Sequence, residues 1–390
     1  MKQLIEDYNQ IIQKLQEYEY IIPKIPSNLK ANNITGEAYA IAYPIQGLLK
    51  YHGLTNPEHR IAFIPSISLN NDSAYTITYV KMDSTLPQDR FFLNGNEQRG
   101  DNFIRIKTQL QYIRHYSKIN SKFFIMSYNL MTTSNQIVNG KGLGTSASGG
   151  AAIAKSVVSI LYRNQPELFD SNSIGCLFAR YLSGSATRSF IGGFGLWLNH
   201  PKMTPLESLA IRLDRHQDKE FLASIDLITV SLESTIKTDQ IHKCAPQSPF
   251  FQEWLLNRKT HVLQFLDALS AHDFFKIGQL AEYDTLCLHA VTMTASKTER
   301  MVLWTPKTLE IINLVQEISV SGTPVFYSID TGPSVVIMVQ HKDTQIIIKE
   351  LYKIVPPTAI SLGKIGESAR IVLENSPETK KIREDLENIK

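Results

Sequence analysis

"IVNGKGLGTSASGGAAIAKSVVSILY", residues 137–162, sets glycines at 140, 142, 144, 149 and 150 among small side chains, just ahead of an apolar run. The run from Ala151 to about Tyr162 predicts a buried helix, and "KFFIMSYNLM" (122–131) before it predicts a strand. Between them lies a loop so poor in side chains that a ligand, or a neighbouring strand, can rest directly on backbone N–H groups. A Walker-type loop needs G-x-x-x-x-G-K-[ST], and a dinucleotide fingerprint needs G-x-G-x-x-G with an acidic ribose contact; neither spacing is met. Close packing of a helix start stays open. So does an anion cradle, in which Gly142 and Gly144 bare the N–H groups and Thr145, Ser146 and Ser148 add hydroxyls.

Outward from this loop, 390 residues are long for one core and predict two domains. Hydrophobic residues at 43% and charged residues at 20% describe an ordinary globular chain. Forty basic against thirty-seven acidic residues, with no basic stripe interleaved with aromatics, argue against nucleic acid as a partner. Cys176, Cys244 and Cys287 are too scattered for a disulfide framework or a zinc knuckle, so a reducing compartment is expected. The first twenty residues have no apolar h-region and no later run approaches a membrane span, so the expected location is the cytoplasm.

Leu4, Tyr8, Ile11 and Leu15 recur at helical spacing, and residues 1–38 are expected to form a helical extension before the main fold. "AYAIAYPIQGLLKY" (38–51), "RIAFIPSISLN" (60–70) and "AYTITYVKMD" (74–83) predict successive strands. Phe103, Ile106, Leu110 and Ile113 mark a helix. After the strand "LASIDLITVSLES" (222–234) the composition shifts to long amphipathic helices at 250–270, 272–294 and 305–318, then to "PVFYSID" and "SVVIMVQ" around a tight "DTGPS" turn. Strands then helices, twice over, predict an α+β protein with domains at 39–220 and 221–375 and a solvated charged tail at 376–390.

"GLGTSAS" (142–148) resembles the glycine-rich motif of the GHMP kinase superfamily. "SGSATRSFIGGFGLW" (183–197) resembles, more specifically, the substrate segment of the mevalonate diphosphate decarboxylases. "YSIDTGPSV" (327–335) is similar to their Asp-x-Gly-Pro turn and "LLKYHGL" (48–54) to their Lys-Tyr-Trp-Gly-Lys strand, with the resemblance collinear from about 40 to 375. It implies a GHMP-kinase-like two-domain α+β fold with a ferredoxin-like second domain, an active site in the cleft between domains, and a homodimer.

The resemblance also implies roles. Mevalonate carries a tertiary alcohol at C3 and a carboxylate two bonds away. Once the C3 oxygen is phosphorylated, phosphate can leave, positive charge builds on C3, and loss of CO₂ supplies the electrons of an alkene. Arg188 matches the family's carboxylate fork, Asp330 its essential anion facing the developing cation, and Lys50 its charge-compensating lysine. Tyr51, Ser183 and Ser185 would line the substrate.

Departures from the family pattern refine this. Its second lysine is Leu54 here and its tryptophan is His52, which favours a 5-monophosphate and the archaeal-type phosphomevalonate branch. Lys243 falls where the family places a basic phosphate contact. The glycine loop lacks the usual preceding proline, and Thr145 replaces the first of two serines. The resulting expectation is decarboxylation of mevalonate 3,5-bisphosphate to isopentenyl phosphate with no cofactor and no protein-bound metal. The alternative is an Mg-ATP-dependent decarboxylase of the mono- or diphosphate. A mevalonate-type kinase is a remote third, because such kinases have lost the Lys, Arg and Asp set.

Overall fold

In the computed structural model, which describes residues 1–138, 144–233, 242–298 and 301–389, three main sheets carry the chain. The first uses β1 (Gly36–Ala42), β6 (Ala74–Asp83), β7 (Arg90–Leu93), β8 (Asn96–Glu97), β9 (Lys122–Met131) and β16 (Arg370–Val372). Their order is β16-β1-β6-β9-β7-β8, with only the β7–β9 pair parallel. The second uses β2 (Ile45–Leu49), β5 (Ser66–Asn70), β10 (Phe194–Trp197) and β11 (Ala210–Arg212) in the order β11-β10-β5-β2. The third uses β12 (Ile225–Val230), β13 (Val325–Ser328), β14 (Val335–Gln340) and β15 (Ile360–Lys364) in the order β13-β14-β12-β15. A small hairpin of β3 (Leu54–Asn56) and β4 (Ile61–Ala62) stands apart.

One face of the first sheet is covered by α2 (Asp101–Ser117), α3 (Thr145–Leu161), α4 (Asn172–Arg180) and α5 (Ala186–Ile191), around Val80, Ile125, Leu110, Val157 and Phe178. The third sheet has helices on both faces. Leu227, Phe326 and Met338 point towards α6 (Phe251–Ser270) and α7 (Phe274–Thr294), while Ile228, Tyr327 and Ile337 point towards α8 (Pro306–Val320) and α9 (Thr344–Leu351). This alternation follows from the two-residue period of a strand buried on both sides. Counting α8 and α9 as the crossovers, the chain runs β12-α8-β13-β14-α9-β15, the ferredoxin-like order. Thr305 and Thr308 form a capping box ahead of α8, with Pro306 in the first turn.

The second sheet joins the halves. Leu48, Ile67 and Leu196 share one core with Leu227, Phe265, Ile277 and Phe326. Two expected peripheral segments also turn out to be packed. The helix of the extension, α1 (Lys2–Glu17), buries Leu4, Ile11 and Leu15 and lies against α6, with Lys259 paired to Asp7 at 3.1 Å. The tail is docked rather than solvated: in α10 (Lys380–Ile389), Ile382 is fully buried among Tyr39, Tyr79 and Tyr128 on the other face of the first sheet, and Tyr128 bonds Asp385. Ile382 and Leu386 face the sheet from among the charges of α10, a docking that composition alone hides. Nor do the last residues stay with the second domain, because β16 returns to pair with β1, Tyr39 opposite Val372.

Candidate active site

Lys50 directly follows β2 and is drawn inward, 4% exposed. Its Nζ donates to Thr285 Oγ1 on α7 at 2.8 Å and to Ser328 Oγ at the end of β13 at 2.8 Å. Its peptide groups are held as well. The Lys50 N–H donates to Asp284 Oδ2 at 2.6 Å, and the Lys50 carbonyl accepts from Arg258 Nη2 at 2.7 Å. Arg258 and Asp284 pair with each other at 2.7 Å, fully buried.

Asp330 comes two residues after β13, in a turn that continues through Gly332 at φ 80°. Its Oδ1 accepts from the Gly47 N–H at 3.1 Å and from Gln46 Nε2 at 3.2 Å. A Cβ on Gly47 would sit 2.7 Å from that oxygen, so only glycine lets β2 come this close.

Arg188, in α5, is 2% exposed. Its Nη2 donates to Ser185 Oγ at 3.4 Å, and its guanidinium lies 5.6 Å from the centre of the Tyr51 ring. Its Nε and Nη1 have no hydrogen-bond partner among the described residues.

Lys50, Arg188 and Asp330 are therefore brought together, and burial disfavours the charge of each. It raises the Asp330 carboxyl, with Lys50 and Arg188 pulling the other way. It lowers the Lys50 ammonium, against the attraction of Asp284 and Asp330. It brings Arg188 down to about 10, against Tyr51 and Asp330. Desolvation dominates at all three, as expected where water is excluded.

The supporting residues are close by. Tyr51 meets Trp197 edge-on at 5.0 Å, and a Cβ on Gly184 would fall 2.6 Å from the Trp197 ring. Ser183 is buried in the turn before α5, and Ser185 sits at its start. Lys243 is exposed; it is the neighbouring His242 that stacks on Tyr51 at 5.1 Å and places its Nδ1 3.1 Å from Nδ1 of His52. Burial holds His52 well below the usual imidazole range, so it stays neutral.

At the glycine loop, Gly142 lies outside the described residues. Gly144 caps α3 at φ 67°, where a Cβ would come 2.9 Å from the Ile45 carbonyl. Thr145 and Ser146 lie at the mouth of the helix, half-buried and exposed. Ser148 departs from expectation: one turn into α3 it faces the core, fully buried, with its hydroxyl 2.6 Å from that of Thr76. No group of three or more His, Cys, Asp or Glu among the described residues is arranged to hold a metal ion, and no described helix is long and apolar enough to cross a membrane.

Gln46, Gly47, Arg258, Asp284, Thr285 and Ser328 escape sequence reading. The one signal available is Asp284-Thr285 within "LAEYDTLCLHAV", a charge set on the apolar stripe of its helix.

Residues 42–209 match the family model described as diphosphomevalonate decarboxylase-like N-terminal domain, and residues 233–389 that of the mevalonate 5-diphosphate decarboxylase C-terminal domain. A phosphomevalonate decarboxylase of Haloferax volcanii is 30% identical over 304 residues, which is 77% of this chain and 87% of the relative. A mevalonate 3,5-bisphosphate decarboxylase of Thermoplasma volcanium is 26% identical over 344 residues, 86% of this chain and 84% of the relative. Among solved structures, mevalonate diphosphate decarboxylase from Staphylococcus aureus superposes with a TM-score of 0.77 at 26% identity, covering 87% of this chain and 98% of that one.

Proposed function

The chain belongs to the diphosphomevalonate decarboxylase-like family of carboxy-lyases, and we propose that its own reaction is the conversion of mevalonate 3,5-bisphosphate to isopentenyl phosphate, inorganic phosphate and CO₂. The observation that carries this reading is Arg188. A buried guanidinium whose Nε and Nη1 have no partner among the described residues is costly, and an anion such as the C1 carboxylate, accepting from it, relieves the cost.

With the carboxylate on Arg188, C3 falls towards Lys50 and Asp330. The C3–O bond breaks with its electron pair leaving on phosphate, whose added charge Lys50 offsets. Asp330 opposes the positive charge growing on C3. The C1–C2 bond then breaks, its pair becomes the C2–C3 π bond, and CO₂ departs. The interactions that matter are those made only as charge develops. At the 5-end, Leu54 lies on β3 packed against the first core where the family pattern has a second cation. One cation fewer suits a monophosphate.

This reading needs no nucleotide, since the 3-phosphate arrives with the substrate. The inward hydroxyl of Ser148, bonded to Thr76, supports it. A second reading, an ATP-dependent phosphomevalonate decarboxylase, is favoured by the 30% identical Haloferax relative. The start of α3, with Gly144, Thr145 and Ser146, would hold Mg-ATP there, and the nucleotide would supply the 3-phosphate.

The deciding assay measures CO₂ from mevalonate 3,5-bisphosphate without nucleotide, and from mevalonate 5-phosphate with and without Mg-ATP. Release from the bisphosphate alone is expected. Release only from the 5-phosphate, with ADP formed one for one, would hand the protein to the second reading.

A further inference from the structure

Resting on the role given to Lys50 above, we propose that Thr285 and Ser328 are positioning residues: they take two of the three N–H bonds of Lys50 and leave the third for the oxygen that departs from C3.

A hydroxyl has one proton and two lone pairs, so its partners fix its polarity. Thr285 Oγ1 donates to the Ala281 carbonyl at 2.8 Å and accepts from Lys50 Nζ at 2.8 Å and from the Ile329 N–H at 3.4 Å. Ser328 Oγ donates to the Gly47 carbonyl at 2.6 Å and accepts from Lys50 Nζ at 2.8 Å and from Gln46 Nε2 at 3.0 Å. Both hydroxyls are saturated with their protons turned away from the amine, so they serve Lys50 only as acceptors. Asp284 and Arg258 fix the other end of the residue through its peptide groups. A side chain pinned at both ends, with two of three tetrahedral positions occupied, has one direction left for its last N–H.

The two acceptors of this cradle also favour the ammonium form, against the burial that disfavours it. Around it stand Asp284 and Asp330, which favour the ammonium, and Arg258 and Arg188, which oppose it. His289, brought down to about 3 by burial and by Lys50, is neutral. Hydrogen bonds to an ion are the stronger kind, so removing one acceptor lowers the pH at which Lys50 loses its proton.

The test uses the full-length protein without substrate, grown with lysine carrying ¹³C at Cε, and the Lys50 signal identified by its absence in Lys50→Arg. In Thr285→Val, which keeps the shape and removes the acceptor, the Lys50 titration should fall by about one to two pH units. kcat should drop about tenfold or more with KM changed less than about twofold. Thr285→Ser, which restores the hydroxyl, should restore both. Ser328→Ala gives the same reading should Thr285→Val fail to fold. A Lys50 titration unmoved by loss of an acceptor hydroxyl overturns the cradle. Lys50→Met retaining wild-type kcat overturns instead the role of Lys50, and the titration distinguishes the two failures because it needs no turnover.

Discussion

Asp330 and Gly47 meet where the chemistry is set, and each makes a testable demand. Asp330→Asn should lower kcat by about 10²–10³ while KM and the fold change little, because the carboxylate acts on charge present only in the transition state. Steady-state CO₂ release checks this, and more than about a tenth of wild-type kcat would release Asp330 from its role. In Gly47→Ala the new methyl would lie 2.7 Å from Asp330 Oδ1 and 2.9 Å from Lys50 Cγ, so one of them must move. A loss of about 10- to 100-fold in kcat is expected, with a much smaller effect on melting temperature. The pH profile follows from the directions of the shifts. Asp330 works ionised and sits above its ordinary 3.8, so activity is lost as pH falls through a raised acid limb. Lys50 works protonated and sits below its ordinary 10.5, so activity is lost as pH rises through a lowered basic limb. A narrowed bell is expected in kcat/KM, and the acid limb should vanish from the residual activity of Asp330→Asn. Lys50, Arg188 and Asp330 are legible in the sequence because a short motif frames each one. Thr285, Ser328 and Asp284 are not, because each is unremarkable in its own segment and gains its meaning from Lys50, 234 positions from Asp284.

At the scale of elements, α6 and α7 do more than cover a sheet. From them Arg258 and Asp284 reach across the halves of the molecule to hold the end of β2 by its peptide groups. Asp284→Ala strands Arg258 in the core and frees the Lys50 N–H, so a loss of about 3–5 kcal/mol is expected in denaturant unfolding. Asp284→Leu combined with Arg258→Met should recover part of that stability but not kcat, since Lys50 still lacks its anchors. These helices are visible in sequence through their amphipathic periodicity. The closing strand is not. β16 is only Arg370–Val372, too short and too polar for a period-two signal, and its partner β1 lies at the opposite end of the chain. The docking of α10 is hidden for a related reason, since two inward apolar residues are lost among charges.

Across the whole molecule, the site exists only because the halves share a core. Lys50 and Arg188 come from the first half, and Asp330, Thr285 and Ser328 from the second. The two-domain α+β plan is legible as strands followed by helices, repeated. The return of residues 370–389 to the first sheet is not, because it is a matter of long-range pairing and not of local pattern. That return bears on how the protein is born. On the ribosome β1 emerges more than 300 residues before its partner strand β16, so until residues 370–389 are made the nascent chain carries an open sheet edge and an uncovered tyrosine face. In stalled ribosome–nascent-chain complexes, protection of residues 36–42 from protease should appear only once residues 370–389 have cleared the exit tunnel. A chain halted earlier is a natural client for a chaperone, and residues 370–389 act as the lock that ends that dependence.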